Sequence, residues 1–134
     1  MNFAFSSSFP YAMSDAPSYI MEDLPWDDSV VFRPRGSLDI YTAPEFRSAL
    51  DELKEKGRKH FVLDLSGIEY IDSTGLGSLA SFMDKVKKDQ GSLRLAGLRG
   101  VVHKAFVFTN LLDLFNISDT AEEAIQNLGE EIGD

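Results

Sequence analysis

The chain contains no cysteine. Disulfides, thiolate metal sites and thiol nucleophiles are excluded, and a cytoplasmic setting is the expectation. Histidine is nearly absent too. His60 and His103 are the only two, one just before an apolar run and one inside a helical pattern, and nothing around them has metal-ligand spacing. No metal site and no cofactor are expected. Positive charge is scarce: 13 Lys and Arg stand against 22 Asp and Glu, a formal net charge of −9. Nucleic acid and anionic membrane surfaces, which need clustered Lys and Arg, are poor partners for such a chain. No apolar run is long enough to span a bilayer. The first residues, Met1 to Ser8, lack the cationic start and apolar core of a signal peptide. There is no Gly-x-Ser-x-Gly elbow and no Gly-Lys-Ser/Thr loop, and Gly75-Leu76-Gly77 lacks the third glycine of a dinucleotide fingerprint. The expectation is a binding module, not an enzyme.

What the chain does have is the balance of one soluble domain: 134 residues, 43% hydrophobic and 26% charged. Residues 1–17 stand apart. They are rich in Ser, Pro and aromatics (Phe3, Phe5, Phe9, Tyr11), with Asp15 as their one charge. They are read as an N-terminal tail, either flexible or docked through its aromatics on the domain or on a second copy. Residues 18–134 are read as the domain.

Tyr19 to Leu24 and Ser29 to Arg33 read as two strands joined by the turn Pro25-Trp26-Asp27-Asp28, an antiparallel hairpin. Pro34 should end the second strand or leave it exposed there. Thr42-Ala43-Pro44-Glu45 carries the pattern of a capping box, with Phe46, Ala49, Leu50 and Leu53 following at helical spacing and Gly57 closing the helix. Phe61 to Leu65 is apolar except for Asp64, as in a strand buried on both faces. A second helix should face inward through Leu76, Leu79, Ala80, Met83 and Lys87, with Val86 at the edge. Ser92 to Ala96 alternates like a strand. Val102, Ala105, Phe106 and Thr109 predict a short helix, Leu114 to Ile117 a last edge strand, and Thr120 with Glu123 a second capping box opening a helix through Ala121, Ala124, Ile125 and Leu128. The fold class is therefore α/β: a single small domain with a mixed sheet, antiparallel at its start and then parallel, covered by about four amphipathic helices.

The chemistry concentrates at one junction, Ile71-Asp72-Ser73-Thr74-Gly75-Leu76-Gly77, between the central strand and the second helix. Asp72 or Ser73 is placed to cap that helix, and the glycines permit close packing. A hydroxyl there also sits in the positive potential of a helix N-terminus, which tolerates a phosphate. A phospho-accepting receiver domain would need paired acids at the carboxyl end of its first strand. Asp27-Asp28 precede a strand instead, and Asp64 and Asp72 have no acidic partner in the pattern.

At these residues the sequence resembles a known family. Gly36-Ser37-Leu38-Asp39-Ile40-Tyr41-Thr42-Ala43-Pro44-Glu45-Phe46-Arg47 is similar to the opening of STAS domains, the anti-sigma factor antagonists and their relatives. Phe61 through Gly77 is similar to their central signature, and Gly91 to Leu95 and Leu111 to Phe115 continue the likeness in order. It covers residues 19 to 129. The resemblance implies a cytoplasmic anti-sigma factor antagonist. Unphosphorylated, it would bind an anti-sigma factor that is also a serine kinase of the histidine-kinase-like ATPase type, and so release a sigma factor. Phosphorylation would switch binding off, and a PP2C-type serine phosphatase would restore it. Carried over by position, the acceptor is Ser73, with Thr74 the lesser alternative. Asp39, Asp72, Gly75 and Leu76 would join them on the partner-binding surface. Ser37 stands where many antagonists carry an acid. The alternative within the family is a non-catalytic scaffold, a stressosome component or a transporter accessory subunit, in which Ser73 is idle.

Overall fold

The structure is a computed structural model that describes residues 19–133. The tail of residues 1–17 lies outside them. Strand β1 (Tyr19–Asp23) runs antiparallel to the long β2 (Ser29–Leu38), from Tyr19 opposite Pro34 to Asp23 opposite Val30. Three further strands extend the sheet in parallel: β3 (His60–Asp64), β5 (Ser92–Ala96) and β6 (Asn116–Ser118), in the order β1-β2-β3-β5-β6. A short strand, β4 (Gly67–Ile71), pairs with the far half of β2, Arg35 to Leu38, also in parallel. Four helices are seen among the described residues: α1 (Ala43–Glu55), α2 (Ser73–Lys88), α3 (Gly100–Phe108) and α4 (Ala121–Ile132).

Alternation along the strands divides the core in two. Val30, Phe32, Phe61, Leu63, Leu93 and Leu95 point to the face covered by α1, α2 and α3. Val31, Val62 and Ala96 point the other way, onto Ala121, Ala124 and Leu128 of α4. Phe61, Val62 and Leu63 are each fully buried, which is why this stretch has no polar alternation to read. Asp64, also buried, is matched by Arg33, whose Nη1 donates to Oδ2 at 2.7 Å. The hairpin, the parallel core and the fold class are as the pattern predicts.

Several local expectations are corrected. The strand does not stop at Pro34. Pro34 pairs with Tyr19 on one edge, while on the other it falls between the last β3 partner, Phe32, and the first β4 partner, Arg35, so its missing donor falls in a gap of that ladder. The strand β4 was not anticipated. The Thr42 capping box does not form: Thr42 already has helical φ and ψ of −98° and −19°, and its side chain makes no cap bond. The carboxylate of Asp39 takes over, accepting from the N–H groups of Tyr41 at 2.9 Å and Thr42 at 3.1 Å. The inner stripe of α2 is Leu76, Leu79, Phe82, Met83 and Val86. Val86 is 1% exposed, whereas Lys87 is exposed. The last strand begins at Asn116 and frees Phe115 to pack edge-on against Phe106, with ring centroids 5.8 Å apart. The closing cap is as expected, with Thr120 Oγ1 accepting from Glu123 N. The Glu123 carboxylate reaches the N–H of Asp119, one residue earlier than the pattern implies.

Candidate functional site

Strands β2 and β4 end side by side, with Leu38 opposite Ile71. That pairing brings the loop after β2 against the start of α2. Asp72 follows β4 as the N-cap of α2, in extended conformation at φ −111° and ψ −174°. Its Oδ1 accepts from Gly75 N at 2.9 Å, satisfying one of the free donors of the helix. Its Oδ2 accepts from Ile40 N at 3.1 Å, and its own N–H donates to Leu38 O at 3.2 Å. One carboxylate thus ties the helix start to the preceding loop.

Gly75 makes the approach possible. It is buried, and a Cβ there would run into the carbonyl oxygen of Leu38 and lie 2.8 Å from Ile71 Cγ1. Gly77 differs: a Cβ added there would meet nothing within 4 Å, so only one of the two glycines permits close packing.

The loop is built by its own side chains. Thr42 Oγ1 donates to Ser37 O at 2.9 Å and accepts from Asp39 N at 3.0 Å. With the Asp39 carboxylate holding Tyr41 N and Thr42 N, the backbone from Ser37 to Thr42 is fixed, and Ile40 and Tyr41 are pushed outward. They are 60% and 88% exposed. An exposed apolar pair held by a hydrogen-bonded loop is a candidate contact surface.

Ser73 is the first helical residue of α2 and Thr74 the second, and both are exposed. Leu76 is 7% exposed and belongs to the core, so it supports the surface from below and is not part of it. Asp39, Asp72, Ser73 and Thr74 come together at this junction, while Gly75, like Leu76, is buried. Ile40 and Tyr41 were missed. Their signal was present: two apolar residues between a capping acid and a helix start, assignable to neither the strand nor the helix period. Beside them a shallow depression of about 790 Å³ runs from Ile40 and Thr74 along α1, past Arg47, Asp51, Glu52 and Glu55. Its charged lining is three carboxylates and one guanidinium.

The two histidines lie elsewhere. His60 opens β3, at the other end of the sheet, with Nδ1 2.8 Å from Ser92 Oγ. Burial pushes its pKa down, and the carboxylates of Glu131 and Asp28 pull in the opposite direction. His103 is exposed on α3. Among the described residues no three His, Asp or Glu side chains converge into a metal-holding group, and no helix is long and apolar enough to cross a membrane.

Comparison with known proteins agrees with the geometry. The family model for the STAS domain matches residues 23–124. An anti-sigma-B factor antagonist of Staphylococcus epidermidis is 28% identical over 102 residues, 76% of this chain and 94% of the relative. A solved Thermotoga maritima protein superposes with a TM-score of 0.75 at 29% identity, covering 87% of this chain and 95% of that one. An anti-sigma factor antagonist from Mycobacterium paratuberculosis gives 0.72 at 26% identity, covering 90% and 97%.

Proposed function

The chain belongs to the STAS domain family, and on that premise we propose that it is an anti-sigma factor antagonist switched by phosphorylation of Ser73. In the unphosphorylated form it binds an anti-sigma factor that is also a serine kinase of the histidine-kinase-like ATPase type. A sigma factor held by that partner is then released. The observation that carries the reading is an exposed hydroxyl at the first position of α2, flanked by the exposed Ile40 and Tyr41 on a loop held rigid against it.

The chemistry asks little of this chain. The kinase supplies ATP and Mg²⁺. Ser73 Oγ attacks the γ-phosphorus, the bond to the β–γ bridging oxygen breaks, ADP leaves, and the hydroxyl proton passes to a base of the kinase. The product carries about −1.5 to −2 charges at neutral pH. The helix N-terminus stabilises that charge in the free protein, so the fold survives. At an interface the same charge must be desolvated beside Asp72 and near Asp39, and the contact is lost. A PP2C-type phosphatase resets the switch.

The test is incubation with ATP, Mg²⁺ and cognate anti-sigma kinases. One added phosphoryl group by intact mass, absent in Ser73→Ala, is the expected result. If no cognate kinase modifies the protein and Ser73→Ala captures no anti-sigma factor, the switch is wrong and the scaffold alternative takes its place.

A further inference from the structure

Strand β2 is longer than its first neighbour. β1 pairs with Val30 to Pro34 and no further. Past Pro34, β4 takes up the edge on the β3 side and packs under α3. On the β1 side, Arg35 to Leu38 face no strand among the described residues. A groove of about 610 Å³ lies along this open edge, lined by Tyr19, Phe32, Leu38, Phe46 and Ile68 and reaching Tyr41 at its far end. Tyr19, the first residue of β1, stacks on Phe32 with centroids 4.6 Å apart. Tyr19, where the described residues begin, therefore borders the groove.

We propose that the segment before Tyr19 is the occupant of this groove, lying along Arg35 to Leu38 and covering Tyr41. Three observations support it. The first is direction. Continuing the register of Tyr19 opposite Pro34 sets Ser18, Pro17, Ala16 and Asp15 opposite Arg35, Gly36, Ser37 and Leu38. Pro17, which has no N–H to give, falls opposite Gly36, whose φ of +94° already departs from strand geometry. The second is reach. Tyr11 and Phe9 come four and six residues earlier than Asp15, about 13 to 20 Å of extended chain, enough to carry an aromatic ring to Tyr41 and Phe46. The third is chemistry. Residues 1–18 hold four aromatic side chains and one charge, a composition suited to the aromatic and aliphatic part of a groove that also carries Arg35, Asp39 and Glu45 beside an open strand edge.

The consequence rests on the function proposed above. The groove and the Ser73 surface share the Asp39–Tyr41 loop, so a seated segment competes with the anti-sigma factor. Tethering makes that competition effective, because the local concentration of a short linked segment is of order millimolar.

The docking is tested on the full chain alone. Having no cysteine, the protein accepts a single nitroxide label at Ser48→Cys, an exposed position one helical turn beyond Glu45 at the groove wall. Loss of amide signal intensity in residues 9–18, recovered in the Phe9→Ser/Tyr11→Ser variant, is the expected result. Full intensity in the labelled protein overturns the proposal. So does attenuation seen only between labelled and isotope-enriched copies, which makes a second copy the occupant. Neither outcome depends on any sigma pathway. With docking established, the Phe9→Ser/Tyr11→Ser variant should bind the anti-sigma factor several-fold more tightly, and unchanged affinity overturns the competition.

Discussion

The carboxylate of Asp72 accepts the backbone N–H of Ile40, 32 residues earlier in the chain, at 3.1 Å. Its other oxygen caps α2 through Gly75 N. Asp72 is thus the joint between the helix that presents Ser73 and the loop that presents Ile40 and Tyr41. Any change in its acceptor capacity should act on both.

Asp72→Asn tests that joint. Asparagine has one acceptor oxygen for two N–H donors, and its amide would face one of them as a second donor. Asparagine is itself a good N-cap, so the cost is chiefly that of the second hydrogen bond, to Ile40 N, about 0.5–1.5 kcal/mol. Asp72→Asn should cost about 1 kcal/mol in denaturant unfolding, and faster hydrogen exchange should be confined to the amides of Ile40 and the first turn of α2. Unchanged exchange at Ile40 would show that the loop holds itself.

The two glycines of the junction should respond in opposite senses. In Gly75→Ala the new methyl meets the Leu38 carbonyl, a backbone atom that cannot swing aside. Overpacking of this kind costs about 1–3 kcal/mol. Gly77 is exposed in mid-helix with open space around it, so Gly77→Ala gains helix propensity of up to about 1 kcal/mol. Urea midpoints of the two variants, one lower and one higher than wild type, check the contrast.

Long periodic segments were legible in the sequence: the both-face burial of Phe61 to Leu65 and the face of α1 follow from spacing alone. β4 was not legible. Glu69 and Tyr70 are successive exposed residues in a five-residue strand, so no alternation survives. At the start of α1, Asp39 and Thr42 are both good capping residues, and spacing does not decide which side chain reaches the free N–H groups. Lys87 and Val86 are neighbours on the helix, and it is Val86 that enters the core while Lys87 stays exposed. The candidate site was legible as Asp72-Ser73; Ile40 and Tyr41 were legible only as residues that fit neither period, and that they adjoin the start of α2 follows from β2 and β4 ending together.

His60 gives the fold a mild sensitivity to acid. Burial, the largest influence, lowers its pKa from 6.5. The unfolded chain therefore binds a proton at a pH where the folded chain does not, and stability rises with pH across that interval. Above 6.5 the group is neutral in both states and contributes nothing. As pH falls from about 6.5 through the lower folded value, stability is lost. His60→Gln should flatten this part of the stability–pH curve, and an unchanged slope would place the sensitivity elsewhere.

In the Phe9→Ser/Tyr11→Ser background, where the proposed tail contact does not intervene, Tyr41 should act on partner binding alone. At 88% exposure its ring makes little contact within the domain, so Tyr41→Ala should shift the unfolding free energy by no more than about 0.5 kcal/mol. An aromatic anchor at the centre of an interface is commonly worth 2 kcal/mol or more. Calorimetric titration with the cognate anti-sigma factor should register that loss, and a variant that binds like wild type would move the interface away from the β2–α1 loop.

Ser73 separates the fold from the proposed switch. An aspartate at the first position of α2 gains about 0.3–1 kcal/mol from the helix N-terminus, and repulsion from the adjacent Asp72 opposes it. Ser73→Asp should therefore leave the urea midpoint close to wild type. At the interface nothing offsets the added charge, and affinity for the anti-sigma factor should drop at least tenfold, about 1.4 kcal/mol. Ser73→Ala adds no charge and should bind like wild type. If Ser73→Ala unfolds more readily, the hydroxyl serves the helix. If Ser73→Asp binds as tightly as Ser73→Ala, a negative charge at this position does not drive the partner off.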